Sequence, residues 1–220
     1  NGNLNDDVGS LVLESAGGTI GAGSYSFGAN QGLALRNSLI NPGEYTLEMI
    51  FRFNALNGYR KILDFNDRAS DFGLYTFNGF LDFYVGATAP SSAFSPGEDV
   101  RLIVTRDGSS NLFSAYVNGV QQLSFVDSRS LAVFSRPDRV IRFFKDDFVT
   151  GQTEATSGVV SFLRVYNDSL SVAEVGALGG PVAVPEPSTA LIGALGMLCL
   201  GGRSFFGRRR NRVSAQTSAA

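Results

Sequence analysis

The chain has 220 residues, with 18 Lys and Arg against 20 Asp and Glu, no His, no Trp and one Cys. Without histidine there is no Ser-His-Asp triad, Cys-His dyad, His-ligated zinc or imidazole pH switch. The single Cys199 excludes an intramolecular disulfide, so stability has to come from packing.

Apolar residues make up 44% of the chain and include 18 Phe and 7 Tyr, enough for a large core and too many for a disordered chain. The 26 Gly and the low charged fraction of 17% point to a β-rich, turn-rich body. The length suits one domain with an appendage.

From Leu11 to Tyr166 the dominant hydrophobic period is two. Short strands are predicted at 11–14 and 32–35. Tyr45-Thr-Leu-Glu-Met-Ile-Phe-Arg-Phe53 alternates apolar and polar positions, which predicts a strand with one buried face. A strand at 60–66 follows. Phe72–Phe77 and Phe80–Val85 flank Asn78-Gly79, which supplies the positive φ values of a type I′ hairpin turn. Val100–Arg106 leads through Asp107-Gly-Ser-Ser into a second such hairpin, Leu112–Val117 and Val120–Phe125 around Asn118-Gly119. Further strands are predicted at 139–144 and 158–166. Ser171-Val-Ala-Glu174 is a capping box that opens one short helix, ending near Leu178. About a dozen short strands with turns between them predict an all-β, two-sheet antiparallel sandwich.

Tyr45-Thr-Leu-Glu-Met49, Tyr59–Phe65, Gly73-Leu-Tyr75, Ala115–Val120, and Leu163–Tyr166 followed by Leu170–Val175 carry a resemblance. Together they resemble a laminin-G-like jelly roll, the concanavalin A-like lectin/glucanase sandwich, over roughly 10–178. The resemblance implies a sheet face or loop rim that binds glycan or protein, often beside a calcium ion. Fold does not fix function, so each site is weighed on its own residues.

Glycanases on this fold use paired acids along one strand. The nearest pair here is Glu44 and Glu48, at i and i+4, with no third acid following; a solvated strand face describes them better. The expectation is therefore a non-catalytic domain. For calcium, which takes six to eight oxygens, the best pair is Asp146 and Asp147, where a strand enters the loop 148–157. Gly151, Gln152, Thr153 and Glu154 of that loop could add oxygens, and the alternative is that the two acids merely end a strand. Asp64, Asp67 and Asp71, with Arg68 among them, form a turn that is a candidate ligand rim, with ion pairing to Arg60 or Arg68 as the competing use. Tyr59, Tyr75 and Tyr84 are candidate stacking platforms for sugar, weighed against simple core filling.

The C-terminal part has a different charge. Residues 188–220 hold five Arg and no acid, leaving 13 basic against 20 acidic residues in 1–187, a net charge of −7. A body this acidic does not suit nucleic acid. Gly179–Pro187 reads as a linker ending in Pro185-Glu186-Pro187. The apolar run 188–207 approaches the ~20 residues that span a bilayer, with Arg203 near its end, and 208–220 is a basic tail. By the positive-inside rule the tail is cytoplasmic and the acidic body lies across the membrane.

The order Pro185-Glu186-Pro187, apolar helix, then Arg208, Arg209 and Arg210 resembles the PEP-CTERM sorting signal of bacterial exported proteins. It implies recognition by an exosortase-type membrane protease, anchoring through the C-terminal helix before processing, and delivery to the cell surface or extracellular matrix. Such a protein needs a signal peptide, expected to have preceded Asn1. The expected organisation is thus a jelly-roll domain at 1–178, a linker at 179–187, a transmembrane helix at 188–207 and a tail at 208–220. The expected function is binding of an exopolysaccharide or a neighbouring envelope protein. A structural matrix component without a specific ligand and an atypical carbohydrate-active enzyme are the alternatives.

Overall fold

A computed structural model describes residues 4–5, 11–21, 23–134 and 136–179. The chain divides into two units, 1–182 and 183–220; the second lies outside the described residues, and with it Pro185, Glu186, Pro187, the expected span 188–207, Arg208, Arg209 and Arg210. No helix among the described residues is long and apolar enough to cross a membrane.

The strands are β1 (Glu14–Ser15), β2 (Thr19–Gly21), β3 (Ser24–Phe27), β4 (Leu33–Leu35), β5 (Tyr45–Phe53), β6 (Tyr59–Asp64) and β7 (Gly73–Phe77). They continue as β8 (Phe80–Tyr84), β9 (Ala87–Ser92), β10 (Val100–Arg106), β11 (Leu112–Val117), β12 (Val120–Val126), β13 (Ile141–Phe143) and β14 (Gly158–Tyr166). One helix, α1 (Val172–Ala177), closes the domain. They form two antiparallel sheets: a front sheet in the order β1-β4-β13-β6-β7-β8-β9 and a back sheet in the order β12-β11-β10-β5-β14-β3-β2.

The inward faces meet in one phenylalanine-rich core. Phe27 stacks on Phe144 with ring centroids 4.7 Å apart, Phe65 meets Phe134 at 4.9 Å, and Phe83 meets Phe113 at 4.9 Å. Ten of the 16 Phe among the described residues are buried, so ring packing does the work that disulfides do in many exported domains.

Both Asn-Gly hairpins form as expected, with φ of 50° and 89° at Asn78 and Gly79 and of 51° and 81° at Asn118 and Gly119. The capping box also forms: the Ser171 side chain accepts from the Glu174 N–H, and the Glu174 carboxylate accepts from the Ser171 N–H. Helix α1 lays Val175 on Ile103 and Tyr116, covering part of the outer face of the back sheet.

Several expectations change. The strand at 45–53 buries both faces over its first half, because Thr46 and Glu48 are also covered. Thr46 Oγ1 donates to the Asp168 carbonyl and accepts from the Leu170 N–H, while Glu48 pairs with Arg101 at 2.9 Å. Glu44 lies in the turn before β5, hydrogen-bonded to Asn41, so Glu44 and Glu48 share no cleft. The strand expected to reach residue 66 stops at Asp64, whose carboxylate accepts from the Asn66 and Arg68 N–H groups and turns the chain. β2, β3 and β9 were not expected. β9 carries Pro90, which a sheet tolerates here because β9 is the front sheet's edge.

Candidate functional site

Side chains alternate along a strand, so the core-facing set Ile62, Leu74, Leu81 and Phe83 leaves Tyr59, Lys61, Tyr75, Phe77, Asp82 and Tyr84 on the outer face of the front sheet. Register sets them side by side: Tyr59 opposite Phe77, Lys61 opposite Tyr75, and Tyr75 opposite Asp82. Gly73 makes room among them. A Cβ there would stand 2.7 Å from the Leu63 carbonyl and 3.2 Å from Lys61 Nζ.

Lys61 is wholly buried on this face. Its Nζ lies 2.8 Å from Asp147 Oδ2, 3.7 Å from Asp64 Oδ2 and 4.2 Å from the centre of the Tyr75 ring. Against the upward push of burial, the Lys61 hydrogen bond and charge hold the Asp147 carboxyl below its ordinary range. The other Asp147 oxygen accepts from the N–H groups of Val149 and Thr150. Burial raises Asp64, with Lys61 acting in the opposite sense.

The segment between β13 and β14 is tied down over this face. Asp146, fully buried, accepts from the Asp147 and Glu154 N–H groups and from the Thr150 hydroxyl. Arg68 donates to the Asp146 carbonyl at 2.6 Å and lies 3.9 Å from the Phe148 ring centre. The Lys61 N–H donates to the Glu154 carbonyl at 2.9 Å, fixing Glu154 beside β6.

These contacts bring the carboxylates of Asp71, Asp147 and Glu154 within 4.8 Å of one another. A pocket of about 60 Å³ opens beside them, lined by Tyr59, Asp71, Tyr75, Tyr84 and Glu154. The Tyr75 hydroxyl lies 2.8 Å from Asp71 Oδ1 and 3.3 Å from Asp147 Oδ2. Glu154 receives no side-chain hydrogen bond among the described residues. Burial, with the charges of Asp71 and Asp146, pushes its carboxyl up to about 7. Burial likewise raises Asp71, opposed by the Tyr75 hydrogen bond.

The structure thus unites Tyr59, Tyr75 and Tyr84, expected as stacking platforms, Asp71 from the expected rim, and Asp147 and Glu154 from the expected calcium loop. Asp146 is assigned to holding the loop rather than to the pocket. Asp64 lies underneath, beside Lys61, and Asp67 is turned away in an ion pair with Arg142 at 2.8 Å. Lys61 is a site residue that the sequence reading misses; its only signal is a lysine inside an otherwise apolar strand, between Tyr59 and Leu63. A larger cleft of about 680 Å³ borders β3, β14 and Leu11, but its walls are mostly apolar and bring no cluster of titratable groups together.

The fold has many solved counterparts. The chain is similar to the binding domain of botulinum neurotoxin serotype D, at 12% identity and a TM-score of 0.54, covering 77% of this chain and 46% of that one. It is also similar to a Trypanosoma rangeli sialidase solved with 2,3-difluorosialic acid as a covalent intermediate, at 15% identity and a TM-score of 0.59, covering 81% of this chain and 30% of that one. The chain therefore spans less than half the length of each, and at these identities the likeness concerns the fold alone. No curated protein matches the chain. A PEP-CTERM protein-sorting motif matches residues 183–210, which marks an exported protein, membrane-anchored before processing by an exosortase, itself a membrane protein. Residues 27–176 match the concanavalin A-like lectin/glucanases superfamily, and the chain belongs to that family.

Proposed function

We propose that this exported chain is a non-catalytic surface module that binds glycan on the outer face of its front sheet. The observation that carries the reading is the pocket of three tyrosines and two carboxylates. Aromatic faces stack against the apolar side of a sugar ring, and carboxylates accept hydrogen bonds from its hydroxyls. Phe77, 36% exposed with its ring centre 4.5 Å from that of Tyr59, extends the platform beyond the pocket mouth. Helix α1 covers part of the back sheet's outer face instead, which favours the front sheet for a partner. The matrix-sorting signal supports an extracellular polysaccharide as the partner. A glycan array probed with the 220-residue chain tests the reading: binding to a defined glycan class supports it, and an array blank at every glycan favours a purely structural matrix component.

A hydrolytic reading has one observation in its favour. Glu154, raised to about 7, stands beside Asp71, and a proton-holding acid next to a second carboxylate is how glycosidases divide acid and nucleophile. Against it, Asp71 is raised too, and the pocket is far smaller than the ~300–1,000 Å³ of sites that enclose a whole ligand. Reducing-sugar release from any glycan bound on the array, lost in Glu154→Gln, would decide for hydrolysis.

Calcium is the remaining reading of the carboxylates. Asp71, Glu154 and Asp147 would be its ligands, and its chemistry would be to bridge protein oxygens to sugar hydroxyls. The donor set as arranged does not fit well: both Asp147 oxygens are already engaged, one of them by the Lys61 ammonium at 2.8 Å. Calcium needs six to eight oxygens, and three of the pocket's five lining residues are tyrosines.

A further inference from the structure

We propose that the open edge of β14, with the apolar cleft beside it, takes an added β-strand from a partner protein: an extended segment with an acidic residue between two apolar ones. The inference goes beyond the glycan reading and uses a different part of the domain.

Strand pairing comes first. β14 lies between β5 and β3, yet β3 accompanies it only at Gly158, Val159 and Val160, opposite Phe27, Ser26 and Tyr25. The ladder to β5 shifts register between Val160 and Phe162, and β3 starts at Ser24, where the chain turns over from β2. From Phe162 to Tyr166, β14 pairs on one side with Ile50 to Thr46 of β5. On the other side no strand pairs with it among the described residues. Every second residue of this stretch directs its N–H and C=O to the open side, which is a template for one more strand.

The cleft of about 680 Å³ comes second. Every residue from Val160 to Asn167 borders it. Successive side chains of a strand point to opposite faces, so a cleft bordered by all of them runs along the strand's edge. Leu163 and Val165 on the inner face, Leu33 and Leu35 of β4, and Leu11 and Leu13 give it apolar walls. Its volume falls within the ~300–1,000 Å³ of sites that enclose a ligand. Alternate side chains of an added strand would enter this space, so those positions have to be apolar.

Charge comes third. Phe162, Arg164 and Tyr166 face outward on the same stretch. The Arg164 side chain is 52% exposed, stands 4.9 Å from the Phe162 ring centre and lies 4.0 Å from Glu48. That carboxylate already accepts from Arg101 at 2.9 Å and from the Tyr166 hydroxyl at 3.1 Å. Arg164 therefore has charge to offer the residue opposite it on the added strand, and an acid answers it. A second copy of this chain does not. Two copies pairing symmetrically through a stretch centred on Arg164 would set that residue opposite itself, and like charges directly opposite are destabilising.

Fluorescence anisotropy on the 220-residue chain tests the proposal with a labelled, end-capped peptide, Thr-Val-Glu-Val-Thr. Two further peptides carry backbone N-methyl groups, one on both Val and the other on Glu and the second Thr, and a fourth has Lys in place of Glu. In an added strand only one set of N–H groups faces β14, so one N-methylated peptide should keep the parent's affinity and the other should lose it. The Lys peptide should bind at least ~5-fold more weakly, and Arg164→Gln, with an unchanged circular dichroism spectrum, should abolish that difference. Tyr59→Ala should leave peptide binding intact, since that ring belongs to the front sheet. Equal behaviour of the two N-methylated peptides would reduce the contact to adhesion in an apolar cleft and overturn strand addition. No binding of the parent up to ~1 mM, as when a segment of the chain itself covers the edge, also overturns it. A dimer seen by sedimentation that the peptide dissociates would assign the edge to a second copy instead and overturn the proposal.

Discussion

Glu154 is the residue whose behaviour separates stability from function most sharply. Its carboxyl titrates at about 7 in the fold, against 4.5 for an ordinary glutamate, so the folded state binds its proton more tightly than the unfolded state. The corresponding stabilisation is complete below about 4.5 and is lost as the pH rises through about 7. Burial sets this first, with Asp71 before β7 and Asp146 and Asp147 after β13 raising the carboxyl further and Lys61 on β6 opposing them. Glu154→Gln removes the ionisation, so the variant should gain about 1 kcal/mol at pH 8, after allowing for solvent screening of a half-exposed group, and nothing at pH 4. Urea denaturation at the two pH values measures this. A gain of equal size at both would locate the effect in packing instead of charge. A substitution that stabilises the fold while weakening binding is the pattern of a residue kept for function.

At the scale of the element, the β7–β8 hairpin positions the pocket, because its register places Tyr75 and Tyr84 on one face. The turn that sets this register needs Gly79, whose φ is 89° and where a Cβ would stand 2.7 Å from Ser92 Oγ and 3.0 Å from the Phe94 carbonyl. Gly79→Ala should cost about 2 kcal/mol and reduce binding along with stability. Loss of stability with full binding would show that the pocket does not depend on the hairpin register.

Such turns were legible in the sequence because Asn-Gly acts locally, and the capping box of α1 for the same reason. The edge strands β2 and β9 were not legible, since glycine, proline and serine there form a ladder only when a neighbour offers one. The candidate site was half legible. Tyr59, Tyr75, Tyr84, Asp71, Asp147 and Glu154 stood out as residue types. That Lys61 would be buried among the acids, and that Asp146 would be spent on the loop, depends on contacts between β6 and a segment some 85 residues later, which no local pattern encodes.

Across the whole molecule, the near-neutral net charge of −2 is the sum of an acidic body and an arginine-rich end. The sorting motif at 183–210 gives that division its meaning, because the basic end serves the membrane stage of export and the acidic domain serves the outside. Replacing Pro185-Glu186-Pro187 with alanines in the producing cell should leave an unprocessed, membrane-bound chain, visible as an unchanged mass in the membrane fraction. Normal processing of that variant would remove the three residues from the recognition step.

The central claim, that the outer face of the front sheet binds glycan, is tested most directly by comparing wild type with the double variant Tyr59→Ala, Tyr84→Ala on the same glycan array, with circular dichroism confirming the sandwich in both. The account predicts selective glycan binding by the wild type and its loss in the folded double variant. Binding that survives both substitutions would place the ligand elsewhere on the domain and contradict it.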